Sequence, residues 1–564
     1  MILSKILTFY QKVLDNKEKQ SLFLIQLFFI LSSCLELIGI LSILPLLAIV
    51  QNQNYIFENE YLNFIFNYFN FENIFYFVLF ICFISFFIVI ISALIKIISI
   101  YIQISYGYRN HMLISNKILK SLISNNFLFF KYKSNSKFIN DLLFQIQRAT
   151  NGILIPILEI NSKLFVIIFT LIIFFYYYGL IAFIIVFLLG IIYFIYIGSI
   201  RNYLQVKGKS LSARRDDLIS TIMDIINNFK VIKIFKSEQQ FKNKFYKINE
   251  HIFKIERFNN TVAQIPRLVS EIIFILGIFA VCLLMLFFNF EIVNIGLIVI
   301  IFYKLLPIFQ QIFASLSKIY ANHDSITTIS EIFNTDDTSE NDITLDYNEL
   351  KFQNSIELKK INFSYNNSNK ILNQINLKLY KNEKVVFFGK SGSGKTTLSD
   401  ILMGLIKPTD GEFYIDENII EYKTYASLNK KIGYVPQNIS LLSGSLAQNI
   451  SFNLDEKNID YDLLMDSINK SGLDDYFEKI NFKYDHEIDQ DGKNLSGGQI
   501  QRIGIARALY QKPNILVLDE STNSLDKKTE EEILQTIKQL KITTIIITHD
   551  YKVRDFFDRV ISLD

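Results

Sequence analysis

Gly389-Lys390-Ser391-Gly392-Ser393-Gly394-Lys395-Thr396 stands between the apolar run Val385-Val386-Phe387-Phe388 and a helix-like segment, Leu398 to Leu405. Strand, glycine-rich turn and helix in that order fill the pattern GxxxxGK[ST]. The pattern predicts backbone N–H groups and a helix N-terminus wrapped around a polyphosphate. Lys395 is expected to reach the β- and γ-phosphates as a point charge, and the Thr396 hydroxyl to bind Mg²⁺.

Outside this loop the chain is unusually apolar. Of its 564 residues 51% are hydrophobic, too many for an ordinary soluble enzyme. Nearly all the long apolar runs lie before residue 325, so a membrane half followed by a cytosolic half is expected. The net charge of +3 reflects a near balance of acidic and basic residues, and no basic block suggests a nucleic-acid partner. Cys34, Cys82 and Cys282 fall inside apolar runs without paired spacing, which predicts small buried hydrophobes rather than a disulfide or a zinc site.

Apolar runs at 22–50, 74–104, 153–178, 180–200, 268–289 and 292–316 each reach the roughly 20 residues that cross a bilayer. Six spans are predicted, the first kinked near Pro45 and the third and fourth joined by a tight turn at Gly179. The first run is too long for a signal sequence. Residues 1–20 read as a short amphipathic helix at the membrane surface. Arg109, Lys117, Lys120, Lys131, Lys133, Lys137 and Arg148 crowd the segment between spans two and three, and the segment from Arg201 to Arg257 is richer still. The opposite loop, Gln51 to Asn73, holds only Glu58, Glu60 and Glu72. This asymmetry places both termini and both long loops in the cytoplasm. The long loops are helical in pattern, so spans two to five should continue as stalks. The pattern breaks near Asn126 to Phe138 and Asp224 to Glu238 into short amphipathic pieces suited to docking. Tyr55 to Phe71 reads either as an outer-surface helix or as a polar loop.

Ionisable residues within spans cost about 2.5–3.5 kcal/mol each at the bilayer centre, so each needs a partner or a wet cavity. Lys96, Arg267 and Lys304 are candidates for a cationic cavity wall that meets an anionic substrate group. Glu36, Glu159, Lys163 and Glu271 leave a second reading open: mutual pairing, such as Arg267 with Glu271, or snorkelling. The polar, acidic stretch Asp324 to Leu350 divides the chain into a membrane domain (1–323), a linker (324–350) and a soluble domain (351–564).

In the soluble domain, short β-rich runs alternate with helical segments, among them Ile371 to Leu379, Val385 to Phe388, Ile432 to Val435, Ile515 to Leu518, Thr543 to Ile547 and Val560 to Leu563. The fold expected is an all-α six-helix transmembrane domain followed by an α/β P-loop nucleotide-binding domain with a largely parallel sheet. Ile515-Leu516-Val517-Leu518-Asp519-Glu520 is a buried strand whose tip can hold Mg²⁺ through Asp519. Glu520 then lies where a general base would polarise water. Leu495-Ser496-Gly497-Gly498-Gln499 opens a helix containing Arg502 and Arg507 and offers a second set of N–H groups to an anion. One nucleotide needs one phosphate loop, so this set suits the γ-phosphate held by a second copy of the domain.

Leu495 to Gln499 matches the signature sequence of ATP-binding cassette proteins, and the soluble half resembles that family in motif order. The resemblance implies ATP and Mg²⁺ as cofactors. Tyr365 in Phe363-Ser364-Tyr365 resembles the aromatic that stacks on adenine. Gly389, Ser391, Gly392, Gly394, Lys395, Thr396 and Thr397 resemble the Walker A loop, and Gln437 in Val435-Pro436-Gln437 the Q-loop glutamine that contacts Mg²⁺ or water. Asp519 and Glu520 resemble Walker B and the catalytic base, Ser524-Leu525-Asp526 the D-loop, and His549 in Thr548-His549-Asp550 the switch histidine. Ser496, Gly497, Gly498 and Gln499 would cover the partner's nucleotide. His486 to Gly492 departs from the TEVGERG-like sequence usual in exporters.

Six spans ahead of one cassette resemble the half-transporter of the type IV exporter fold, which implies a homodimer with two composite ATP sites. The two cytoplasmic breaks then resemble coupling helices. Glu36, Pro266-Arg267, Lys304-Leu305-Leu306-Pro307 and the possible outer helix resemble PglK-like flippases of lipid-linked oligosaccharides. That resemblance implies ATP-driven translocation of a polyprenyl pyrophosphate-linked glycan across the bacterial inner membrane, with Lys96, Arg267 and Lys304 at the pyrophosphate. A multidrug or lipid A-like exporter shares the architecture. A nontransporting regulator or channel fits the intact ATP motifs less well.

Overall fold

The computed structural model describes residues 6, 9–11, 13–124, 127–178, 180–288, 292–334, 353–365, 370–390, 392–422, 425, 431–481, 483–489, 492–521, 527–557 and 559–563. The chain divides into two compact units, Met1–Asn125 with Phe129–Asn341, and Asn126–Leu128 with Asp342–Asp564.

The first unit is helical. Its long helices are α1 (Asn16–Leu41), α2 (Ile74–Ser124), α3 (Ile155–Tyr178), α4 (Leu180–Asn227), α5 (Glu238–Phe288) and α6 (Ile292–Asn322). Among the described residues, three stretches are long and apolar enough to cross a membrane: Asn16–Val50, Ile74–Ser124 and Asn135–Ile173. The other predicted spans fall on α4, α5 and α6. The expected turn at Gly179 lies outside the described residues.

Pro45 does more than kink the first span. Helix α1 stops at Leu41 and a new helix, Leu44–Gln51, starts with the proline in its first turn, where a missing N–H breaks no helical bond. Beyond it, Tyr55–Glu58 and Glu60–Tyr68 are helical, and Asn59 caps the second by accepting from the N–H groups of Tyr61 and Leu62. Ile56 and Leu62 are buried while Tyr61, Phe64 and Tyr68 are exposed, so the segment is an amphipathic helix pair rather than a polar loop. Cys82 is exposed and Cys34 half-buried, not core residues as expected, because part of each span faces outward.

Helices α2 and α5 each contain 51 residues. At 1.5 Å per residue that is about 76 Å, more than twice the roughly 30 Å of bilayer hydrocarbon. The excess accounts for the stalks. Short helices interrupt them where the pattern predicted breaks: Phe127–Tyr132 and Asn135–Asn140 at one, Phe229–Ile234 at the other. Near the N-terminus, Ile6, Phe9, Tyr10, Val13 and Leu14 are buried against Ile114, Ile118, Ile146 and Ile153. The Tyr10 hydroxyl donates to the Ala149 carbonyl at 2.7 Å. This segment is packed in protein, not laid on a membrane surface. Residues 324–334, read as linker, form a helix whose Ile326, Ile329 and Ile332 enter the same cluster.

The second unit has two main sheets. An antiparallel one joins β1 (Ser355–Phe363), β2 (Leu372–Tyr380), β4 (Asp410–Ile415) and β5 (Asn418–Ile420) in the order β2-β1-β4-β5. The other joins β3 (Lys384–Phe388), β6 (Ile432–Val435), β9 (Ile515–Asp519), β10 (Thr543–Thr548) and β11 (Arg559–Ser562) in the order β11-β3-β10-β9-β6, every pair parallel. A two-strand ribbon pairs β7 (Gly444–Ser445) with β8 (Glu487–Ile488), within the stretch that departs from the exporter sequence. Strands β3, β9 and β10 are almost wholly buried, as continuous apolar runs in a parallel sheet must be. Two helices matter for the site, α7 (Lys395–Leu402) after β3 and α8 (Gly497–Tyr510) against β6. Gly433 makes that second packing close: a Cβ there would meet the Ala508 carbonyl oxygen at 2.8 Å.

Candidate functional site

Parallel strands point their C-terminal ends to one edge of the sheet, and the predicted phosphate-binding and catalytic residues gather there. From β3 the chain turns through Gly392 (φ 85°) and Gly394 (φ 93°), both left-handed, into α7. A Cβ on Gly394 would also strike Leu372 at 2.9 Å. Lys395 is buried, and its ammonium donates to the carbonyls of Gly389 and Lys390 at 2.6 and 2.8 Å. The loop is thereby shaped around a cation. Ser393 Oγ is buried without a hydrogen-bond partner among the described residues. An orphan donor beside a lysine-filled glycine loop fits a phosphate oxygen. Ser391 lies outside the described residues, as do Ser524, Leu525 and Asp526.

Thr396 is exposed in the first turn of α7, while Thr397 is buried and shares a 3.1 Å hydrogen bond with the Tyr365 hydroxyl. The Tyr365 ring lies perpendicular to that of Phe363, their centroids 4.8 Å apart. Asp519 closes β9. Burial first, and then the Glu520 charge, push its carboxyl above the ordinary range. Tyr434 of β6 donates its hydroxyl to Asp519 Oδ2 at 3.4 Å. An acidic group disfavoured as an anion, within the field of the buried Lys395, suits a divalent cation. Asp519 and Thr396 would hold Mg²⁺, which when bound supplies positive charge to the phosphates.

Glu520 is the hub. Its backbone is left-handed at φ 46°, a conformation that costs a non-glycine residue of order 1–3 kcal/mol. Its N–H donates to the Ile547 carbonyl at 2.9 Å, which holds that turn against β10. One carboxylate oxygen accepts from Gln437 Nε2 at 3.2 Å and the other lies 3.2 Å from His549 Nδ1. Two residues from the ends of β6 and β10 therefore converge on the carboxylate at the end of β9.

The signature residues form a separate feature. Ser496 and Gln499 complete a reciprocal capping box at the start of α8, Ser496 Oγ accepting from Gln499 N at 3.3 Å and Gln499 Oε1 from Ser496 N at 2.8 Å. Helix α8 packs on β6, three strands from β3, and at ~4.8 Å per strand the two lie about 14 Å apart. Gly497 and Gly498 lie in its first turn. Arg502 and Arg507 are engaged within the domain. Arg502 donates to the Gly472 carbonyl and pairs with Glu532, and Arg507 donates to the carbonyls of Asn449 and Ser440.

In the helical unit, a cavity of about 310 Å³ opens among α1, α2, α3 and Gln311 of α6. Lys96 and Lys163 line it together with Glu36 and Glu159. Lys96 Nζ lies 2.7 Å from Glu36, and Ser315 donates to Glu159 at 2.7 Å. The expected trio is not assembled there. Arg267 is exposed and pairs with Glu271 at 3.0 Å, the i,i+4 alternative left open by the sequence. The Lys304 side chain lies outside the described residues. Tyr434 was not singled out. The signal for the pocket was present as polar positions at helical spacing, Lys96, Ser99 and Gln103 on one helix and Glu159, Ser162 and Lys163 on the next.

A family model for the ABC transporter transmembrane region matches residues 22–313, just over half of the chain, and the ABC transporter model matches residues 372–523. The chain belongs to the ABC transporter family. It is 26% identical over 463 residues to an ATP-dependent lipid A-core flippase of Francisella tularensis subsp. holarctica (strain OSU18), covering 79% of this chain and 74% of that one. With the uncharacterized ABC transporter ATP-binding protein YfiB of Bacillus subtilis (strain 168) it shares 36% identity over 210 residues, 37% of this chain and 36% of YfiB. The solved structure of a bacterial Atm1-family ABC exporter with ATP bound superposes with a TM-score of 0.78 at 18% identity, covering 98% of this chain and 94% of that one. This ABC transporter thus has the Atm1-type exporter fold, a helical transmembrane region followed by a nucleotide-binding domain.

Proposed function

We propose that this ABC transporter is one half of a homodimeric, ATP-driven exporter that translocates a lipid-linked oligosaccharide, a polyprenyl pyrophosphate-linked glycan, across a bacterial inner membrane. The observation that carries the ATPase part is Glu520 held between Gln437 and His549 beyond Asp519. A carboxylate fixed there takes a proton from water attacking the γ-phosphate, while His549 and Gln437 orient it. Tyr365 stacks the adenine. Gly389, Ser391, Gly392, Gly394, Lys395, Thr396 and Thr397 hold the phosphates, and Ser496 to Gln499 of the second subunit close over them. Charge asymmetry supports cytoplasmic termini and cassettes. Of the three expected cations, Arg267, after release from Glu271, and Lys304 are assigned to the pyrophosphate, while Lys96, paired with Glu36, is assigned to the glycan beside it.

The test is Glu520→Gln. ATP turnover of the variant is expected to fall at least about 100-fold, the usual contribution of a general base, with nucleotide binding retained. Near-wild-type turnover would remove Glu520 from the role. A second reading, export of a lipid A-like molecule, is favoured by the kinship to lipid A-core flippases. Stimulation of ATPase by lipid A-core but not by a lipid-linked oligosaccharide would select it.

A further inference from the structure

We infer that the pocket among α1, α2 and α3 is a binding site for the sugar portion of a lipid headgroup, and that it takes an electrically neutral, polyhydroxylated group rather than a phosphate. The inference rests on the lipid-exporter reading and assigns part of the cargo to a place.

Depth is the first argument. Lys96 lies about 33 Å along α2 from its Ile74 end, and Glu159 about 28 Å along α3 from its Tyr178 end, at 1.5 Å per residue. Successive antiparallel helices put those two ends on the same side. Both residues are thus about one hydrocarbon thickness, roughly 30 Å, from the far surface. The pocket therefore opens at headgroup level on the stalk side, where a lipid of that leaflet carries its polar group.

Charge is the second. Two ammonium groups, Lys96 and Lys163, face two carboxylates, Glu36 and Glu159. The wall is balanced, with the Lys96–Glu36 pair already closed at 2.7 Å. A phosphate would add negative charge that no surplus cation meets, and a buried uncompensated charge is the costliest group to transfer. A sugar adds none. Each of its hydroxyls both donates and accepts, so it can bond carboxylates and ammonium groups in the same pocket. Ser99 and Gln103, one and two turns along α2 from Lys96, extend this mixed surface. At about 310 Å³ the cavity stands at the small end of the roughly 300–1,000 Å³ typical of ligand sites, room for a headgroup and not for a whole lipid.

The chain contains no tryptophan, so Ile100→Trp places a lone fluorophore on the pocket wall. The full-length protein carrying it is reconstituted in phosphatidylcholine nanodiscs and titrated with diglucosyldiacylglycerol or with phosphatidic acid of the same acyl chains. A saturable emission change is expected, with the glycolipid binding at least about tenfold more tightly. Adding Glu159→Gln keeps the volume but leaves a net positive wall, and the preference is expected to turn toward phosphatidic acid. Native mass spectrometry of the unsubstituted protein with the same two lipids checks the ranking independently of the tryptophan. Equal or tighter binding of phosphatidic acid to the unsubstituted wall overturns the inference, as does silence toward the glycolipid in both measurements. Nucleotide-driven movement of the glycolipid, followed in sealed proteoliposomes of the same protein, separates the two readings. Movement without binding in this pocket removes the pocket and leaves the exporter, whereas binding without movement supports the pocket and removes the exporter.

Discussion

At Asp519 the protein holds a carboxylate where it is least comfortable. Burial and the neighbouring Glu520 raise its pKa, so in the window above the ordinary carboxylate range the folded chain binds more protons than the unfolded one. The stability this group contributes is therefore present below its unfolded pKa and lost as pH rises through the folded value. Above that value the charge is a net cost. Asp519→Asn is accordingly expected to raise the thermal unfolding midpoint of the nucleotide-free protein at neutral pH, a gain that disappears at acid pH, while Mg²⁺-dependent ATPase is lost. Differential scanning calorimetry across pH, set beside turnover, checks both; an unchanged midpoint at neutral pH would contradict the assignment. Gln437, Glu520 and His549 were legible in the sequence because few residue types do their chemistry and each follows an apolar strand. Tyr434 was not, since a tyrosine in a β-strand is equally a packing residue until its hydroxyl is seen on Asp519.

Among the helices, Arg148 shows what a single side chain can tie together. It is 6% exposed and bonds both Asp324 oxygens at 2.7 and 3.2 Å, Asn322 Oδ1 at 2.9 Å, and the Ala321 and Gly208 carbonyls at 3.0 and 3.2 Å. It sits between two π-helical turns, Asp141–Gln145 and Thr150–Leu154, an irregularity often found where a helix is adapted to a specific contact. Arg148→Ala strands Asp324 in a buried site and is expected to cost about 3–5 kcal/mol, whereas Arg148→Met with Asp324→Leu replaces both charges and should recover most of that. Thermal unfolding of the two variants decides it; equal losses would show that the remaining hydrogen bonds, not the ion pair, hold the junction. From sequence Arg148 was only one more charge in a basic loop. The partner helix was hidden too, because the stripe Ile326, Ile329 and Ile332 is short and runs directly into an acidic stretch. The spans and stalks were easier to read, since twenty apolar residues in a row leave few alternatives to a helix.

For the whole molecule, the proposed homodimer has Lys395 and Ser496 of a single chain serve different nucleotides, their strands β3 and β6 standing about 14 Å apart on one sheet. Lys395→Ala and Ser496→Arg chains, each inactive alone, are expected to regain measurable ATPase when co-expressed and purified together through two tags, because the mixed dimer contains one intact composite site. No recovery above either parent would argue against the shared site. Dimerisation was legible only indirectly, from two anion-binding loops where one nucleotide needs one. The length of α2 has a mechanical side as well. A rod of about 76 Å tilted about Lys96 would swing a Ser124 end that lies about 42 Å farther out. A tilt of about 5° carries that end close to 4 Å and hardly moves the lysine. Leverage of this kind leaves the Lys96 wall almost stationary while the stalk sweeps, so any change in pocket width must come from Glu36 and Glu159 sliding past it on α1 and α3.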